Sequence, residues 1–159
     1  MVDKTIKSLS YVGSFFLIVL VFLVVYDATL RYLFSGGSIA LQELEWHLFD
    51  VIFLFGIAYT LKEKSHVRVD IFYASYTQKT KALVEIITSL FFIIPFSFLL
   101  IYVSIDFVLL SFVQNEISSN PGGLHYRFIL KAMMPLAFIF VILQALSDVK
   151  ESFMEYKKL

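Results

Sequence analysis

The chain has no cysteine among its 159 residues, which excludes disulfides and thiol chemistry and leaves redox compartment unreadable. It has no net charge either: 13 basic and 13 acidic side chains cancel, so nothing in the balance points to nucleic acid. Ser, His and Asp are present, yet no Gly-x-Ser-x-Gly elbow, phosphate-binding loop or dinucleotide fingerprint accompanies them. Sequence repeats, low-complexity tracts and any stretch long enough for a separate soluble domain are also missing. Nothing here resembles an active site. What the chain has in excess is apolar: 59% hydrophobic residues, 18 Phe and a mean hydropathy of +0.82. A soluble domain holds about 45–50% apolar residues. The composition is that of an all-α integral membrane protein.

Four apolar runs, over about 11–34, 41–61, 82–113 and 126–146, predict four transmembrane helices in a single unit covering residues 1–159. The first outlasts the 7–15 residues of a signal-peptide core, and no small-residue cleavage site follows it. Ser35-Gly36-Gly37-Ser38 and Asn120-Pro121-Gly122-Gly123 supply the turn chemistry after spans one and three. Between spans two and three lies the strongly charged connector, residues 62–81, whose Val, Ile, Phe and Tyr predict that it lies along the membrane surface. The third run is too long for a hydrocarbon core of about 30 Å and must tilt, bend or protrude. Pro95 offers the bend, because it lacks an N–H and its ring crowds the carbonyl of Phe91.

Basic residues set the orientation. The start, the connector and the charged tail carry two, five and three, and the two opposite loops carry none. The positive-inside rule then puts both termini and the connector in the cytoplasm. Asp27, Asp50, Asp106 and Lys131 consequently fall in the outer part of the bilayer. Arg31 shares a helix face with Asp27; Glu43, His47 and Asp50 lie at i, i+4 and i+7; Arg127 and Lys131 form a basic stripe. Charges at such depth must face protein, pair, or snorkel. Arg31, Arg127 and Lys131 are long enough to snorkel, whereas Asp50 is too short and either pairs within the bundle, with Lys131 and Arg31 as candidate partners, or faces another subunit. A proton relay through Asp50 and a metal held by Glu43, His47 and Asp50 are the rival readings, but no acidic chain continues inward and no second ligand cluster appears. Trp46, Tyr32 and Tyr126 read as an interfacial aromatic belt, and Gly56 with Ala58 as a place of close helix approach.

Taken together, Arg31-Tyr32-Leu33-Phe34, Leu41-Gln42-Glu43-Leu44-Glu45-Trp46 and Gly56-Ile57-Ala58-Tyr59-Thr60-Leu61, leading into His66-Val67-Arg68-Val69-Asp70, carry a family resemblance. So do Asn120-Pro121-Gly122-Gly123-Leu124, Tyr126-Arg127-Phe128 and the stretch from Lys131 to Leu136. The chain resembles the small, DctQ-like membrane subunit of tripartite ATP-independent periplasmic (TRAP) transporters over nearly its whole length. His125 stands where proline is expected in many relatives and Glu45 where glutamine is common. The resemblance implies a scaffold and anchor in the bacterial inner membrane. Its partners would be a large multi-helix subunit, which carries the sodium and substrate sites, and a periplasmic binding protein that delivers an organic acid. No cofactor would reside in this chain. It further implies that Asp27, Arg31, Glu43, Asp50, Arg127 and Lys131 are structural or partner-interface charges, and that His66, Arg68 and Asp70 organise a connector able to meet lipid. A stand-alone proton-coupled exporter built around Asp27 and a haem-binding anchor are the alternatives from other classes; the latter would need two facing histidines, and only His47 lies within a span.

Overall fold

The computed structural model describes residues 2–63, 73 and 75–158, and among them all regular structure is helical. Helix α1 is Val2–Leu33 and α2 is Ile39–Lys62. Helix α3, Gln78–Thr88, passes through a π turn at Ser89–Ile93 into α4, Ile94–Val113. Helix α5 is Arg127–Lys158. Four helical segments, with Gln78–Val113 counted as one, are long and apolar enough to cross a membrane. The π turn sits where the sequence predicts a loosened ladder. Ile94 N–H reaches back five residues to Ser89 O, one residue before Pro95 removes the next donor.

Helices α1 and α5 overrun the apolar runs that announce them. Ile6, in the stretch that reads as a polar start, is fully buried where α1 meets Ala58 and Leu61 of α2 and Val141 and Ala145 of α5. The residues from Asp148 onward, which read as a charged tail, continue α5 because Gln144, Asp148 and Ser152 form one inward stripe. Gln144 Nε2 donates to Asp148 Oδ1 at 2.8 Å, and Ser152 Oγ donates to Glu85 Oε2 of α3 at 2.9 Å. Hydropathy ends a span where charge begins; a helix ends where its packing ends. At 1.5 Å per residue α1 and α5 each reach about 48 Å, so the third segment is not alone in exceeding the hydrocarbon core.

Among the described residues the helices do not close a ring. Helix α1 packs on α2, α2 on α5 and α5 on α4, while α4 packs along neither α1 nor α2. The result is an open row with α2 and α5 inside and α1 and α4 at its edges. Small residues make the contacts close. Ser97, Ser104 and Ser111 of α4 are buried at intervals of seven against α5, where Ser104 Oγ lies 3.0 Å from Met134 Sδ. Two of the three hydroxyls are satisfied within the helix itself, Ser97 donating to Ile93 O at 2.7 Å and Ser104 to Leu100 O.

Candidate functional site

Polar chemistry collects at the end where the α1–α2 turn and the α4–α5 loop lie. The loop, residues 114–126, is shaped from its first residue. Asn115 takes a left-handed φ of 45°, Glu116 N–H bonds to Ser111 O at 3.0 Å and Asn115 N–H to Phe112 O at 3.1 Å. That double bond pattern ends α4 and aims Glu116 back toward the helices. Further on, Asn120-Pro121-Gly122-Gly123 makes a type II turn, with Gly122 at φ 79° and Gly123 N–H on Asn120 O at 3.0 Å. Ser118 N–H to Leu124 O (3.0 Å) and Arg127 N–H to Glu116 O (3.2 Å) draw the two arms together.

Glu43, in the first turns of α2, clasps this loop. Its carboxylate accepts from Ser118 Oγ, from Asn120 Nδ2 at 3.3 Å and from Leu124 N–H at 2.7 Å. Three donors from residues 75 to 81 positions away converge on one side chain. Gly123 is what allows the approach: a Cβ there would sit 2.7 Å from Glu43 Oε2 and nearer still to Ser118. Outward from the clasp, Ile117, Pro121, Gly122 and His125 line an open pocket of ≈ 280 Å³.

Four of the other charges form two pairs. Arg31 pairs with Asp27 one turn before it, as their spacing predicts; Asp27 is fully buried while Arg31 reaches out half exposed. Asp27 Oδ1 and the nearby Glu45 Oε1 of α2 are buried without hydrogen-bond partners among the described residues. Lys131 of α5 is paired with Glu116 of the loop and lies 3.8 Å from the Phe107 ring centre. Arg127 lies close enough to act electrostatically on both Glu43 and Glu116. Asp50 therefore pairs with neither Lys131 nor Arg31 and has no ion-pair partner among the described residues.

The stripe Glu43, His47 and Asp50 is not a joint site. Glu43 faces the loop and His47 Nδ1 meets the backbone O of Glu43. Among the described residues no three His, Asp or Glu side chains converge as metal ligands. His66, Arg68 and Asp70 lie outside the described residues. Sequence reasoning missed Glu116 and Ser118, for which the signal was faint, and the serine heptad 97, 104, 111, whose period could have been counted. It also treated Gly56 and Ala58 alike. Ala58 is fully buried, but a Cβ on Gly56 would meet nothing within 4 Å.

Hydrogen bonding from Lys131, the largest cause, holds the Glu116 carboxyl below its ordinary value of 4.5. A carboxyl depressed on folding contributes stability that is present above 4.5 and is lost as pH falls through its folded value. Thermal midpoints in detergent should therefore drop on acidification below about pH 4.5. In Glu116→Gln the drop should be shallower; parallel curves for the two proteins would show that this pair does not contribute.

These features define a small multi-span membrane component whose polar groups shape and fasten one end of the molecule. The chain belongs to the family described as tripartite ATP-independent periplasmic transporters, DctQ component, which it matches over residues 20–154. It is also 23% identical over 147 residues to a Haemophilus influenzae protein provisionally described as a TRAP transporter small permease protein, an alignment covering 92% of this chain and 88% of that one.

Proposed function

We propose that this chain enlarges and anchors the stationary scaffold of a large TRAP membrane subunit, which takes up an organic acid, coupled to sodium, from a periplasmic binding protein. The family match over residues 20–154 carries the reading. The open row of helices supports it, because a row with two unfilled edges offers broad surface to a larger neighbour. Sodium and substrate would be held by the large subunit, and this chain would supply no cofactor. Ten basic residues at the connector end favour a cytoplasmic position for that end and for both termini, in the bacterial inner membrane. The clasped loop would then face the periplasm, where its pocket is open to the soluble partner. Asp27, Arg31, Glu43, Arg127 and Lys131 serve this job as structural charges.

Reconstitution tests the division of labour. Proteoliposomes holding both membrane subunits should accumulate the organic acid when the binding protein and an inward sodium gradient are supplied. Omitting this chain should abolish uptake, and this chain alone should give none. Uptake by this chain alone would overturn the scaffold reading in favour of a small exporter-like carrier.

A further inference from the structure

Asp106 is the charge that the fold leaves over. It lies in α4, seven residues before the helix ends at Val113, which is about 10 Å along the axis. Two residues from the buried Ser104, it is rotated about 200° away from the serine seam that faces α5. Its side chain is accordingly exposed, amid Leu99, Tyr102, Val103, Leu110 and Val113, which are all more than half exposed. No hydrogen bond or ion pair reaches it among the described residues. Lys131, which lies over the ring of the adjacent Phe107, is engaged by Glu116.

An aspartate is too short to snorkel over such a distance, and an unpaired carboxylate facing lipid is unfavourable. Intramembrane acids therefore face protein or water. The other edge of the row differs. On α1 the exposed face carries Tyr11, Phe15, Ile18 and Phe22, and its one deep acid, Asp27, is turned inward and paired. Among the described residues of the two edge helices, the deep acid of α1 is turned inward while that of α4 faces outward.

We infer that the Asp106 face of α4 is the surface that docks on the large subunit, where a lysine or arginine of that subunit pairs with Asp106. The inference rests on the proposed scaffold role and adds which edge of the row is covered. An apolar face with one buried charge suits such a partner better than lipid does: the aliphatic and aromatic residues give area, and the ion pair fixes register.

Photo-crosslinking on the intact assembly tests it. With p-benzoylphenylalanine at Tyr102 or Leu110, irradiation of membranes containing all components should join this chain to the large subunit. Adducts to a second copy of this chain, or to lipid alone, would overturn the assignment. Asp106→Lys should lower recovery of the large subunit with this chain by about tenfold or more, and Asp106→Asn by less. The thermal midpoint of the isolated variant should stay at the parent's value, because Asp106 is exposed and makes no hydrogen bond or ion pair among the described residues. Unchanged recovery with Asp106→Lys would refute the charge pair. If the unmodified chain recovers no large subunit at all, the scaffold role itself fails; if it does and the α4 probes remain silent, only the docking face is wrong.

Discussion

Gly123→Ala is expected to unfasten the α4–α5 loop from α2. The added carbon would lie 2.5 Å from Ser118 Oγ, 2.7 Å from Glu43 Oε2 and closest to Ser118 Cβ. Rotating a hydroxyl cannot relieve contact with a Cβ, so backbone must move. That backbone is held on both arms, by Ser118 N–H on Leu124 O and by Leu124 N–H on Glu43. Relief therefore breaks the clasp. Overpacking of this kind costs about 1–3 kcal/mol. The neighbouring Gly122→Ala provides the contrast, since space around it is open and only its φ of 79° is unfavourable. Gly122→Ala should lower the melting temperature yet leave the Leu124 amide protected from hydrogen exchange, whereas Gly123→Ala should lower both. Full protection of Leu124 in Gly123→Ala would contradict the clasp.

Ala58→Leu should separate the helices at the opposite end. Ala58 is fully buried where Ile6, Leu61, Val141 and Ala145 converge from three helices. Helix association in a membrane depends on close packing of small residues, because lipid supplies no hydrophobic drive between helices. Three extra heavy atoms at that point must push α2 from α1 or from α5, at about 1–3 kcal/mol. Gly56→Ala, two residues earlier, places its carbon in open space and replaces a poor helix former, so it should be neutral or stabilising by up to about 1 kcal/mol. Thermal melting of the two variants in one detergent separates these outcomes. A destabilised Gly56→Ala beside an unaffected Ala58→Leu would invert the packing described here.

The difference between these two positions shows how far the sequence could be read. Gly56 and Ala58 are equally small and lie in one helix, and only the direction each faces distinguishes them. The four spans are legible because lipid imposes a length and a composition on a helix regardless of its neighbours. Their ends are not, because Ile6 and Ser152 owe their helical setting to contacts with other helices. Charges follow the same division. Asp27 and Arg31 pair across one helical turn, and helical spacing alone announces this. Lys131 and Glu43 find partners in the loop, and those partners are placed by the left-handed Asn115 and the turn at Pro121-Gly122. No periodic pattern encodes such a placement. Asp50, expected either to pair within the bundle or to face another subunit, has no ion-pair partner among the described residues, because Lys131 and Arg31 are engaged by Glu116 and Asp27.

Co-purification tests the central claim most directly. The tagged chain, produced together with a large TRAP membrane subunit and extracted in mild detergent, should elute with that subunit in stoichiometric amount. A stable oligomer of this chain alone, unchanged by the presence of the large subunit, would contradict the scaffold role and make Asp27 and Asp50 candidates for transport.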